Sequence, residues 1–163
     1  MKFFLKSENM EKNYRPNVAG IILSPSYPFK CEVFIAQRSD IKGAWQFPQG
    51  GIDEGETPQI AILRELKEEI GTNNVDIITS CPDLYSYDFP EAVREKMKPF
   101  DGQRQKYFLL RLKSLNGINL HTKHPEFDLF KFVDIKDVLN LVNHFKKGIY
   151  SKVLKYFKEE GYI

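Results

Sequence analysis

A chain of 163 residues, 42% hydrophobic and 13% aromatic, carries enough apolar surface for one folded globular domain, which excludes a disordered or fibrous protein. Its 24 basic and 22 acidic residues leave a net charge of +2, so bulk charge does not mark a nucleic-acid binder and any basic patch must be local. Cys31 and Cys81 form no metal-ligand or disulfide spacing and read as structural thiols of a reducing compartment.

The opening "MKFFLKSENMEKNY" is interrupted by Lys6 and is too short for a signal-peptide core. No run reaches transmembrane length, so the expectation is a cytoplasmic monomer without membrane attachment. "NVAGIIL" (Asn17–Leu23) is β-branched and apolar and predicts a strand, and "CEVFIAQR" (Cys31–Arg38) predicts its return. "WQFPQGG" breaks at Pro48 and two glycines, with Trp45 and Phe47 as core candidates. A helix is predicted from Thr57 to Ile70, capped by Thr57 with Pro58 at its first position and stopped by Gly71. "VDIITS" (Val75–Ser80), "QKYFLLRLK" (Gln105–Lys113) and "FDLFKFVD" (Phe127–Asp134) predict further strands. The stretch between Ser80 and Gln105 reads as a long functional loop. Helices are expected at 135–145 and 149–159, which makes the whole a mixed α/β domain.

The helix at 57–70 carries the chemistry. On a wheel, Ile60, Ile62, Leu63, Leu66 and Ile70 fall in one arc, and Glu65, Glu68 and Glu69 fall in an adjoining one. Such like charges repel, and more so beside an apolar boundary, although a solvated polar face would also read this way. Asp53, Glu54 and Glu56 in the preceding turn add to the cluster. Hard oxygen ligands gathered in this way suit Mg²⁺ or Mn²⁺, and a cation held by carboxylates suits phosphoanhydride hydrolysis.

"GGIDEGETPQIAILRELKEEIGT" resembles the box that defines the Nudix hydrolases. Gly50, Glu56, Arg64, Glu65, Leu66, Glu68, Glu69 and Gly71 fall in register over residues 50–72, with Thr72 in place of the usual aliphatic residue. Fixed residue types at fixed spacing of this kind arise by chance on the order of once in a billion positions. "YRPNVAGIIL", "WQFPQGGI", "QKYFLLRL" and "PEFDLFKFV" are similar to the branch of bacterial RNA 5′-pyrophosphohydrolases, also described as dinucleoside polyphosphate hydrolases. The resemblance implies an α/β/α sandwich around a mixed β-sheet, with residues 1–163 as a single domain that includes the C-terminal helices.

It further implies Glu65 and Glu69 as main metal ligands, with Glu68 and the Gly50 carbonyl contributing. Glu56 and Arg64 are implied to brace loop against helix. Glu126 is implied as a metal ligand or general base, and the choice between Glu65 and Glu126 as proton acceptor stays open. Arg15, Arg38, Gln103 and Lys106 are candidates for holding phosphates, and Phe145, beside Lys146 and Lys147, for stacking on a base. His121, His124 and His144 have no ligand spacing and read as structural or surface residues. The expected substrate is the 5′-triphosphate end of RNA, with a dinucleoside polyphosphate as the alternative. A non-catalytic nucleotide-binding module is disfavoured because every box carboxylate is present. The sequence names no activating protein partner.

Overall fold

The computed structural model describes residues 11–163, so most of the N-terminal stretch read above lies outside the described residues. Its strands are β1 (Tyr14–Leu23), β2 (Glu32–Arg38), β3 (Trp45–Gln46), β4 (Gln49–Gly51), β5 (Val75–Ser80), β6 (Tyr85–Asp88), β7 (Gly102–Leu112) and β8 (Phe127–Asp134). The helices are α1 (Pro58–Ile70), α2 (Glu91–Arg94), α3 (Val138–Leu141) and α4 (Lys147–Glu159), with a 3-10 turn at Ile135–Asp137. The strands form one mixed sheet in the order β3-β2-β1-β7-β5, with β4 on β1, β6 on β7 and β8 on β2. The β1–β7 pair is parallel, running from Tyr14 opposite Gly102 to Leu23 opposite Arg111.

Alternation along these two strands divides the core. Ala19, Ile21, Leu23, Tyr107 and Leu109 point to one face and pack under Val138, Tyr150, Val153 and Phe157. Val18, Ile22, Phe108, Leu110 and Leu112 point to the other and meet Ala61, Ile62, Leu66 and Ile70 of α1. Helices therefore cover both faces, giving the α/β/α sandwich. Both faces of β1 being buried explains why Val18–Leu23 reads as a continuous apolar run.

The ends of α1 are set locally. Thr57 accepts from Ile60 N at 3.2 Å, Pro58 occupies the first position and Gly71 turns left-handed at φ 81°. Such a cap contributes about 1 kcal/mol. The buried stripe differs from the wheel reading: it is Ala61, Ile62, Leu66, Glu69 and Ile70, while Ile60 is 55% exposed. At 100° per residue the buried face is rotated by about a quarter-turn toward the carboxylates. The helix meets the sheet through the small Ala61, and this places Glu69 within the buried face.

The stretch after Ser80 is more regular than a loop. Tyr85–Asp88 pairs antiparallel with Gln105–Gly102, and Glu91–Arg94 makes one helical turn. The helix expected at 135–145 stops at Leu141, because Val142 is buried and extended (φ −92°, ψ 115°). Asn143, His144 and Phe145 are thereby released to face a cleft. Cys81 is buried, Cys31 is half-buried, and both are free thiols. No helix among the described residues is long and apolar enough to cross a membrane.

Candidate active site

A cleft of about 1040 Å³ opens where β4, the second half of α1, the Arg38–Ala44 segment and the 143–146 loop meet. Its acidic wall is built from β4 and α1. Arg64 holds Glu56 in a two-pronged ion pair, Nε to Oε2 at 2.7 Å and Nη2 to Oε1 at 2.8 Å. The same guanidinium donates to the Gly51 carbonyl at 2.8 Å and to Glu65 Oε1 at 2.9 Å, and reaches Glu68 at 3.3 Å. Glu56 also accepts from Asp53 N at 2.8 Å. Arg64 first, then that backbone bond, holds the Glu56 carboxyl down at about 2. Turn, strand and helix are thus fixed to one another through Arg64.

The two glycines are dictated by close approach. A Cβ on Gly50 would overlap the Glu65 carboxylate, and one on Gly51 would overlap the Arg15 guanidinium. Burial pushes the Glu65 carboxyl above its ordinary value, and Arg64 pulls it back. Glu69 is 6% exposed and its Oε2 is buried without a hydrogen-bond partner. Burial, then the charges of Glu126 and Glu65, push the Glu69 carboxyl well above the usual carboxylate range. Among the described residues no three ligating groups already converge on one point. The unpartnered Glu69 oxygen, the like charges beside it and the all-oxygen donor set nevertheless fit a hard divalent cation.

The rest of the cleft lining is basic and aromatic. Arg15, Arg38, Gln103, Phe145 and Lys146 all line the cleft. Arg38 is held by Asp40 at 2.9 and 2.6 Å. Phe145, 55% exposed, tilts against Tyr87 with ring centroids 5.0 Å apart. Lys146 is buried, its Nζ donating to Gln49 Oε1 at 3.0 Å and lying 5.4 Å from the Tyr87 ring. Burial, then Arg38, push its ammonium down to about 8, against the pull of Glu69 and Glu126.

Because an ammonium can only donate, Lys146 orients a chain of amides. Gln49 Oε1 also accepts from Gln105 Nε2 at 2.7 Å, and Gln105 donates to Asn17 Oδ1 at 2.9 Å. Asn17 in turn donates to Gln103 Oε1, which leaves the Gln103 amide nitrogen as a donor at the cleft wall.

Lys106 does not join this constellation. The alternation that turns Gln103 and Gln105 to one face turns Lys106 to the other, where its Nζ donates to the Cys81 carbonyl at 2.8 Å. Sequence reading named Lys146 only as a neighbour of Phe145, took His144 as a structural or surface residue, and missed Asn17, Gln49 and Tyr87. Nothing local marks them, since each joins the cleft through residues distant in the chain.

The NUDIX domain family matches residues 13–153. A Campylobacter jejuni protein (subsp. jejuni serotype O:23/36, strain 81-176) named RNA pyrophosphohydrolase is 62% identical over 153 residues, which is 94% of this chain and 98% of its own. A Helicobacter pylori (strain P12) protein of the same name is 56% identical over 154 residues, covering 94% and 99%. Among solved structures, the E. coli dihydroneopterin triphosphate pyrophosphohydrolase shares the fold, with a TM-score of 0.68 at 20% identity and coverage of 92% and 100%. With the sandwich in place and the match running over most of its length, the chain belongs to the NUDIX family.

Proposed function

We propose that this protein is a divalent-cation-dependent pyrophosphohydrolase that converts the 5′-triphosphate end of RNA to a 5′-monophosphate, a product that favours decay of the RNA. The observation that carries this reading is the cleft's polarity: Glu65, Glu69 and Glu126 line it together with Arg15, Arg38, Lys146 and Phe145. Relatives at 56–62% identity that are named RNA pyrophosphohydrolase support the substrate class.

Glu65, Glu68, Glu69, Glu126 and the Gly50 carbonyl would hold the cation, with Mg²⁺ the expected ion and Mn²⁺ a substitute. When bound, it screens phosphate charge and makes water more acidic. Arg64 keeps Glu65 and the Gly50–Gly51 turn in fixed relation, so no reorganisation is needed as charge develops. Arg15, Arg38 and Lys146 would bind phosphate oxygens, and Phe145 would stack on the first base. Water adds to a phosphorus and a phosphoanhydride P–O bond breaks, so that the monophosphate is reached by loss of pyrophosphate in one hydrolysis or of phosphate in two successive ones. The water proton would pass to Glu65 or Glu126, both of which line the cleft.

The test is incubation of triphosphorylated RNA with the protein and Mg²⁺, alongside a dinucleoside tetraphosphate. Release of phosphate or pyrophosphate with formation of monophosphorylated RNA is expected, and a chelator should stop it. No release from RNA, with rapid cleavage of the dinucleotide, would overturn the RNA assignment in favour of the dinucleoside polyphosphate.

A further inference from the structure

His144 lines the cleft but has no part in the chemistry described so far. Its ring touches two backbone groups of fixed polarity. Nε2 lies 2.9 Å from the Trp45 carbonyl, which can only accept. Nδ1 lies 3.3 Å from the Lys146 amide N–H, which can only donate. One protonation state satisfies both contacts: the neutral imidazole with its proton on Nε2.

The second contact also serves α4. The first N–H groups of a helix lack intrahelical partners, and Lys146 at the cap position supplies no capping side chain. The His144 ring accepts from Lys146 N, and the His144 carbonyl accepts from Lys147 N at 3.1 Å. The ring is wedged edge-on against Tyr150 at 5.8 Å and Phe145 at 6.2 Å. Burial and the charges of Lys146 and Arg38 hold its pKa below the ordinary 6.5, against the pull of the Trp45 carbonyl.

We propose that His144 is a positioning residue for substrate binding: as a neutral Nε2–H imidazole it ties β3 to the start of α4 and so sets the Phe145 ring and the Lys146 ammonium in the cleft wall. The substrate-binding half of this assignment rests on the function proposed above, whereas the tautomer does not.

Two measurements on the full chain separate the two halves. Long-range ¹H–¹⁵N NMR at pH 7 should show one histidine in the Nε2–H form, identified by its loss in His144→Gln. An Nδ1–H or doubly protonated ring would overturn the proposal. In steady-state assays on triphosphorylated RNA, His144→Ala should raise KM about tenfold with kcat within about twofold. Added to Phe145→Ala, it should raise KM by clearly less than tenfold, because part of its effect acts through the Phe145 ring already removed. Full additivity, or a loss confined to kcat, would refute the positioning role. His144→Gln, which keeps a donor for Trp45, should show a smaller KM effect and carries the same criteria if His144→Ala does not fold. If the wild type leaves RNA uncleaved, the proposed function fails. The Kd of a non-hydrolysable β,γ-imido nucleoside triphosphate then decides His144, a weakened Kd in the variants supporting it and an unchanged one refuting it.

Discussion

The two walls of the cleft are built on opposite plans. The acidic wall comes from the continuous segment 50–69, with Glu126 added from the loop before β8, and most of its charges are paired internally, Arg64 alone meeting Asp53, Glu56, Glu65 and Glu68. The basic wall is gathered from residues 15, 38, 103 and 144–146, and its buried ammonium is held by a neutral amide and aromatic rings. Among the described residues, each wall keeps one buried charge without an opposite charge in an ion pair: Glu69, whose Oε2 has no hydrogen-bond partner, and Lys146, whose ammonium is bonded only to a neutral amide. Such charges are costly in isolation and gain most from a ligand. A cation and a polyphosphate entering together would supply what both walls lack. The rigid pairing fixes geometry, while the unpaired groups hold the binding energy in reserve.

The largest expected effect breaks the acidic wall at its unpaired point. Glu69→Gln should lower kcat/KM on triphosphorylated RNA by about 10³, as removal of a metal ligand costs several kcal/mol in the transition state. The same change should raise the melting temperature in chelator. A carboxyl whose folded pKa lies above its unfolded 4.5 keeps its proton longer in the fold, so stability falls as pH climbs from 4.5. A neutral amide removes that loss. Mg²⁺ should stabilise the wild type in the same melts and leave Glu69→Gln nearly unchanged.

Gly50→Ala tests the packing beneath the charges. Its Cβ would displace the Glu65 carboxylate, and a shift of that size should cost about 10² in kcat. Lys146→Met breaks the basic wall and should reduce kcat/KM about tenfold at pH 7. In the wild type, kcat/KM should fall as pH rises through about 8, where the folded ammonium loses its proton, and Lys146→Met should lack that limb. Wild-type stability should rise over the same interval, up to the ordinary 10.5, because there the unfolded chain binds the proton that the fold does not. The smallest effect sharpens the boundary of the site: Lys106→Ala should alter kcat/KM by less than about twofold, since its ammonium serves the Cys81 carbonyl.

Much of the acidic wall was legible because its determinants are local. Thr57–Pro58 and Gly71 bracket α1, and helical geometry fixes the relation of Glu65, Glu68 and Glu69 once the helix forms. The face that α1 buries was not legible. Ile60 is as apolar as Ile62, and only the approach of the sheet to Ala61 turns one outward and the other in. Lys106 was misplaced for a related reason. Phe108–Leu110 of β7 is buried on both faces, so the apolar pattern gives no alternation from which to read the parity of Gln105 and Lys106. The strand at Tyr85–Asp88 is too short for its pattern to stand out, and it pairs through partners in β7.

The spacing within residues 64–69 was enough to bring Glu65, Glu68 and Glu69 into one cluster beside Arg64, because a helix converts sequence separation directly into distance. Which charges stay unpaired is a property of the folded molecule. The neighbours of Glu69 and Lys146, and the Trp45 carbonyl that His144 meets, come from segments far apart in the chain, and the burial of these groups, which sets how strongly each charge is felt, exists only once α1, β4 and the 143–146 loop have packed against the sheet.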